Sequence, residues 1–358
     1  MDTNPMELQP SATLAEILSE PAVWQTALRG LREDSTVARV VEDSRSRTEW
    51  LFIGCGTSFY LAEAAANSWT LLTGQRARAL PGSEPLLFPE LALAKEPHLQ
   101  AVVISRSGKT SEALRTAKLF TNEFHVPTIG ITCATNTPLE ELCDVTIRIT
   151  AADEKSTVMT RSFTSMLLAL QHLAARTVKN ESYLKSLEDM VAHFAPRIQA
   201  IAEKTQGFVA KHNFADYVFL GQGPFHGIAR EASLKVMEMS CSYSQVFHAL
   251  EFRHGPKAIV SENTCLTFFL SENGYQAEEE VLGEMAELGG VIIAICNRAS
   301  EHVRRNSDLV FELGFDGPDV ARLAPYVVPA QLLGFFTGTK KNLDPDNPKN
   351  LTRVVILD

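Results

Sequence analysis

Trp50-Leu-Phe-Ile-Gly-Cys-Gly-Thr-Ser58 is a short apolar run that breaks on two glycines and then opens a helix-like segment, residues 61–74. Tyr217-Val-Phe-Leu-Gly-Gln-Gly-Pro-Phe225 repeats that grammar, and a second helix-like segment follows at residues 228–240. Working outward, Ala101–Ser105 matches Leu266–Ser271, Pro127–Thr132 matches Val291–Cys296, and Asp144–Ile149 matches Asp308–Leu313. The halves are offset by about 164–167 residues throughout. Each half therefore reads strand–helix–strand–helix–strand–helix–strand. The strands are continuous runs rich in Val, Ile and Phe, as parallel strands covered on both faces require. Alternating strands and helices imply an α/β fold, namely two tandem doubly wound parallel sheets, flavodoxin-like, each within three αβα layers. Ligands of such sheets sit beyond the carboxyl ends of the strands.

Residues 46–195 are expected to form the first domain and 196–340 the second, after a helical lead-in over 1–45. A long helical stretch at 160–210 bridges the halves. The polar tail, 341–358, is too poor in apolar residues to fold alone and is expected to pack over the active site. With 33 Lys+Arg against 43 Asp+Glu the net charge is −10. That argues against a nucleic-acid partner, because a phosphate-backbone binder needs positive charge. Any phosphate must be caught locally, by hydroxyls and backbone N–H groups. The six cysteines contain no CxxC pair and read as reduced and mostly buried. Residues 1–21 lack a basic segment followed by an apolar run, and no long unbroken apolar stretch occurs. Neither a leader nor a membrane contact is expected, and the cytoplasm is the expected compartment.

Gly54-Cys-Gly56 and Gly221-Gln-Gly223 both follow strands, but the third glycine of a dinucleotide fingerprint is replaced by Phe59 and His226. Ser107-Gly-Lys-Thr110 looks like half of a P-loop, yet the glycine five residues before the Gly-Lys pair is replaced by Val103. What remains is a hydroxyl-rich turn, Ser105-Arg-Ser-Gly-Lys-Thr110, opening a helix after a strand. Ser105, Ser107 and Thr110 with free helix-terminal N–H groups suit a compact phosphate, and Ser58 could join them. Helix caps at Ser107 and Ser111, with no ligand, read equally well from residue types.

Glu231, Lys235 and Glu238 are spaced four and three apart and so share one helix face. Two carboxylates and an amine beyond a strand end could move protons. A solvated Glu–Lys pair on an exposed helix fits the same spacing. His254 precedes Gly-Pro on a sharp turn, where side chains are often held for function. His248, Glu251 and His254 do not make an HExxH pattern, and no metal is expected.

In this order the motifs resemble the SIS (sugar isomerase) family. More closely, they look like the isomerase half of glutamine–fructose-6-phosphate aminotransferases and stand-alone tagatose/galactosamine-6-phosphate isomerase-deaminases. It rests on Glu16-Ile17 with Glu20-Pro21, Cys55-Gly-Thr-Ser58, Ser105–Thr110, Glu231-Ala-Ser-Leu-Lys-Val-Met-Glu238, Glu251-Phe-Arg-His-Gly-Pro256 and Asp344-Pro-Asp-Asn-Pro-Lys-Asn-Leu351. Glu154–Thr164, which contains Thr157, looks nearer to the deaminase branch. The resemblance implies that Cys55, Gly56, Thr57, Ser58, Ser105, Arg106, Ser107, Thr110 and Thr157 hold a sugar phosphate, and Arg353 in the tail is expected to join this substrate-binding set. It implies that Glu238 shuttles a proton between C1 and C2, with Lys235 and Glu231 in support. It implies that His254 opens the sugar ring from a neighbouring subunit of a homodimer. No cofactor is implied.

Two departures stand out. The aminotransferases carry a glutaminase domain with a terminal cysteine nucleophile, whereas here about 45 residues precede the first strand and no cysteine lies near the start, so glutamine hydrolysis is not expected in this chain. The family tail usually carries a Schiff-base lysine, and here that place is Arg353, which stays protonated and cannot be that nucleophile. The sequence thus points to an isomerase/deaminase of an amino-hexose 6-phosphate. A fructosamine-6-phosphate deglycase and a non-catalytic sugar-phosphate sensor are the alternatives.

Overall fold

The apolar runs form two parallel sheets in a computed structural model that describes residues 11–44, 46–93 and 98–357. The first ten residues, part of the stretch read for a leader, lie outside the described residues. The first sheet holds β1 (Glu49–Gly54), β2 (Arg76–Pro81), β3 (Leu99–Ile104), β4 (Thr128–Thr132) and β5 (Val145–Arg148), in the order β2-β1-β3-β4-β5. The second holds β6 (Asp216–Gly221), β7 (Tyr243–His248), β8 (Thr264–Phe269), β9 (Val291–Cys296) and β10 (Leu309–Glu312), in the order β10-β9-β8-β6-β7. Neighbouring strands are parallel in both. Each sheet thus has the 2-1-3-4-5 flavodoxin-like order.

Each sheet has five strands, where the apolar runs indicate four. The additional strands, β2 and β7, lie at sheet edges, where one side is unpaired and the surroundings are half-solvated. Arg76-Ala-Arg-Ala-Leu-Pro81 and Tyr243-Ser-Gln-Val-Phe-His248 can therefore carry polar side chains, and the charge on β2 suits an edge.

The paired glycines have a structural reason that does not involve a nucleotide. A Cβ at Gly54 would lie 2.3 Å from the Ser58 carbonyl oxygen, and one at Gly221 would lie 2.5 Å from that of Phe225. Gly56 and Gly223 adopt φ values of 55° and 52°, which glycine supplies without steric cost. Each turn launches a long helix, Thr57–Thr73 in the first half and Pro224–Ser240 in the second. These two helices cross at Gly227, where a Cβ would meet the Ala64 backbone nitrogen at 2.7 Å.

The stretch between the sheets is three helices, Arg161–Thr177, Glu181–Phe194 and Ile198–Lys211. The helix Leu323–Lys340 packs so closely on Pro224–Ser240 that a Cβ at Gly334 would lie 2.7 Å from the Lys235 carbonyl oxygen. One apolar cluster runs from Ile17 and Trp24 through Trp50, Phe163 and Phe219 to Phe336, so both halves share a core.

The tail is tied to the start of the chain. The Asp346 carboxylate accepts hydrogen bonds from Ser11 Oγ (2.7 Å) and from the backbone N–H groups of Ala12 and Thr13 (2.8 Å each). It thereby caps the helix Ala12–Leu18 from 334 residues away. Among the described residues, no helix is long and apolar enough to cross a membrane.

Candidate active site

A cavity of about 180 Å³ lies beyond the carboxyl ends of β1 and β3. The turn after β1 contributes Cys55, Gly56, Thr57 and Ser58 to it. The loop after β3 contributes Arg106, Ser107, Thr110 and Glu112. Thr157 and Met159 close one side, and Glu238 reaches in from the second half. Tail residues Thr352–Val355 complete the wall.

The loop after β3 reaches the helix Ser111–Lys118 with no side chain capping it. The reading of Ser107 and Ser111 as helix caps therefore does not hold. Ser107 Oγ accepts from the Lys109 N–H at 3.2 Å, and Ser111 Oγ accepts from the Leu357 N–H at 2.9 Å. Gly108 has φ +62° and passes so near Thr137 that a Cβ would lie 2.5 Å from Oγ1. Ser105 stands behind the cavity wall, buried, its hydroxyl donating to Thr110 Oγ1 at 3.2 Å. The arrangement gathers the hydroxyls of Ser58, Ser107 and Thr110 beside a helix N-terminus, where a phosphate is favoured. Burial pushes the Cys55 thiol up to about 11, with Glu112 adding to the effect, so Cys55 is a neutral wall residue at pH 7.

Arg106 is more a tie than a free phosphate ligand. Its buried guanidinium lies 3.2 Å from the Glu154 carboxylate and donates to the carbonyls of Thr157 (3.0 Å), Val158 (3.3 Å) and Arg353 (3.1 Å). It thus fastens the 154–158 loop and the tail to the phosphate loop. Glu154 also accepts from Thr160 N–H (2.7 Å), Thr160 Oγ1 (2.9 Å) and both donors of Ser162, so its charge is fully satisfied. Glu16, on the lead-in helix, accepts from the N–H groups of Lys155 (2.5 Å) and Ser156 (3.3 Å). The sequence reading assigned no role to Glu154 or Glu16. Their signal is a run of Ser and Thr donors at 156, 160 and 162, which is legible only once an acceptor is placed opposite.

On the helix Pro224–Ser240, Glu231, Lys235 and Glu238 share a face, and that face is turned inward rather than solvated. Lys235 and Glu231 are fully buried, while Glu238 is 18 % exposed at the cavity. Lys235 Nζ donates to Glu238 Oε2 and, at 3.2 Å, to Thr57 Oγ1, and it lies 3.4 Å from Glu231 Oε1. The Lys235–Thr57 bond joins the two halves at the site. Burial alone would lower Lys235, but the flanking carboxylates outweigh it and hold the ammonium above its usual range. Burial pushes the Glu231 carboxyl up to about 8, against the pull of Lys235. Of the three, Glu238 is the one that the cavity exposes.

His254 stands apart. It is exposed on the turn after Glu251–Arg253 and does not line the cavity of its own chain. Arg353 does line it, but its guanidinium is bonded to Asp153 at 2.8 Å. Among the described residues, no three His, Cys, Asp or Glu side chains converge as a metal ligand set.

Comparison with known proteins agrees with this architecture. The SIS domain profile matches residues 45–176 and 216–332, one match on each half. The chain belongs to the SIS domain family. It is 25 % identical, over 98 % of its length, to the glutamine–fructose-6-phosphate aminotransferase of Pyrobaculum aerophilum, and it spans only 58 % of that protein. A solved glucosamine-6-phosphate deaminase from Thermotoga maritima superposes with a TM-score of 0.78 at 26 % identity, covering 97 % of this chain and all of that one. The tagatose-6-phosphate ketose/aldose isomerase of Escherichia coli shares the fold, with a TM-score of 0.84 at 21 % identity over 97 % of this chain and 96 % of that one. In SIS terms, the cavity belongs to the first repeat and borrows Glu238 from the second.

Proposed function

We propose that this SIS protein is a phosphosugar isomerase/deaminase that converts an amino-hexose 6-phosphate and water to a ketose phosphate and ammonia, water hydrolysing the imine that the proton transfer forms. The observation that carries the reading is the meeting, in one cavity, of the Ser58, Ser107 and Thr110 hydroxyls with Glu238. The hydroxyls and helix terminus take the phosphate. Glu238 moves the proton between C1 and C2 of the sugar through an enediol or enolamine, and Lys235, hydrogen-bonded to that carboxylate, holds it in place. Thr57 and Lys235 provide the polar contact nearest the reacting carbonyl. In a homodimer, His254 of one chain opens the sugar ring bound to the other. No cofactor enters, because the carbonyl itself carries the electrons. The cytoplasm is its proposed compartment.

One observation favours a second reading, a fructosamine-6-phosphate deglycase. Among the described residues no lysine lines the cavity, Lys235 being buried behind Thr57 and Glu238, and the tail presents Arg353 bonded to Asp153. Glu238 chemistry proceeds without a Schiff-base lysine. Glucosamine 6-phosphate, galactosamine 6-phosphate and a fructosamine 6-phosphate, each assayed for ammonia or amine release, separate these readings. Turnover of a hexosamine phosphate supports the first, and turnover of the fructosamine alone supports the second. Binding without turnover of any of them refutes both.

A further inference from the structure

A second cavity, about 560 Å³, opens beyond the carboxyl end of the other sheet. It repeats the position of the first. The glycine turn after β6 contributes Gln222 and Gly223, and the loop after β8 contributes Ser271, Asn273 and Gly274. The chain goes from β6 to β7 on one side and then to β8 on the other, so this is the switch point where doubly wound sheets bind ligands. Apolar walls come from Leu71, Leu250 and Val320.

The chemistry is inverted relative to the first cavity. Thr57 and Ser58 are replaced by Pro224 and Phe225, which removes two hydroxyls and one N–H. Among the described residues, no Lys, Arg or His lines the cavity, whereas Glu278 and Asp319 do. Glu278 is buried, and its charge is met only by neutral donors, the Ser271 N–H at 2.7 Å and Oγ at 2.9 Å. Asp319 lies 3.2 Å from Arg322, which also pairs with Glu272 at 2.8 Å. Two carboxylates, Asp319 and Glu272, thus share one guanidinium, which also donates to the Phe315 and Gly317 carbonyls and leaves Glu278 without a cation. Gln222 Oε1 is a further buried acceptor without a donor. Burial, with Asp319 adding to it, pushes the Glu278 carboxyl up to about 7. A site with surplus acceptors and unbalanced negative charge repels a phosphate and is completed by a cation that brings N–H donors.

We propose that this second crevice binds a small protonated amine, of about hexosamine size, and excludes phosphate esters. The inference is independent of the activity proposed for the first cavity.

Titration calorimetry on the full-length chain tests it with three probes: glucosamine, its neutral isostere glucose, and glucose 6-phosphate. Two variants go with them. Glu278→Gln removes the charge, and Leu71→Trp fills the mouth from a residue 58 % exposed, where folding is not at stake. Glucosamine should bind about tenfold or more tightly than glucose, the worth of one charge-assisted hydrogen bond. Each variant should weaken glucosamine by a similar factor and leave glucose 6-phosphate unchanged. Equal binding of glucose and glucosamine overturns the proposal, as does no glucosamine binding. So does glucosamine binding that survives Leu71→Trp but is lost on Thr110→Val, since the amine would then sit in the first cavity.

Discussion

Replacing Glu231 by Gln should remove a pH-dependent loss of stability. Glu231 is fully buried 3.4 Å from Lys235, and burial pushes its carboxyl from an ordinary 4.5 to about 8. At neutral pH it therefore holds its proton, and the Lys235 charge is answered by Glu238. A group raised in the folded state gives its full stabilisation below the unfolded pKa and loses it as pH climbs through the folded value. At about 1.36 kcal/mol per pH unit, a shift from about 4.5 to about 8 removes about 3–4 kcal/mol between pH 5 and pH 8. Gln matches the protonated acid in shape and cannot ionise, so the variant escapes that loss. An unfolding entropy of about 0.75 kcal/mol/K for a chain of this length turns that into about 5 °C. Thermal unfolding followed by circular dichroism at pH 5, 6.5 and 8 should show the variant gaining about 5 °C on the parent across that range. Parallel curves would refute the argument, because they would mean that Glu231 is already ionised in the folded protein at pH 5.

Glu238→Gln should lower kcat by about 10²–10⁴-fold, the usual worth of a positioned acid/base, while calorimetric binding of the sugar phosphate persists. Arg106→Met leaves Glu154 buried without a cation and should cost about 3–5 kcal/mol, or about 4–7 °C in Tm. Arg106→Lys should recover part of that, measured in the same melts. Gly227→Val drives a side chain into the Ala64 backbone at the helix crossing. It should destabilise by about 1–3 kcal/mol and, by moving Thr57 away from Lys235, lower activity beyond the loss of folded protein, as read by specific activity normalised to the folded fraction. Arg353→Lys should change the products of the substrate panel while leaving Tm within about 1 °C, since the residue is exposed and its pair with Asp153 contributes little.

Of the ten strands among the described residues, eight were legible: β1, β3, β4, β6, β8 and β9 are apolar runs buried along nearly their whole length, and the edge strands β5 and β10, though half-buried, keep Val145, Ile147, Leu309, Val310 and Phe311 as an apolar signal. The edge strands β2 and β7 were not legible, because a half-solvated strand tolerates Arg76, Arg78 and Gln245 and so resembles a loop. The site's loops were legible where their chemistry is contiguous, as in Ser105–Thr110 and Glu231–Glu238. The contacts that hold them were not. Arg106 finds Glu154 48 residues on, and Asp346 finds the helix at Ala12 from the other end of the chain. A single salt bridge or cap across such a separation leaves no periodic trace in either segment.

By itself the sequence determined the tandem repeat, the parallel α/β layers and the face shared by Glu231, Lys235 and Glu238, since periodicity and spacing are local and survive in one dimension. Only the tertiary structure decided what that face does. The crossing at Gly227 brings Lys235 to Thr57, and the helix Leu323–Lys340 covers the other side of Pro224–Ser240. Together these contacts bury Glu231 and Lys235, which on an exposed helix would form a solvated pair. The state of a carboxyl group follows from what excludes water around it, and at Glu231 the covering groups come from segments far away in the chain.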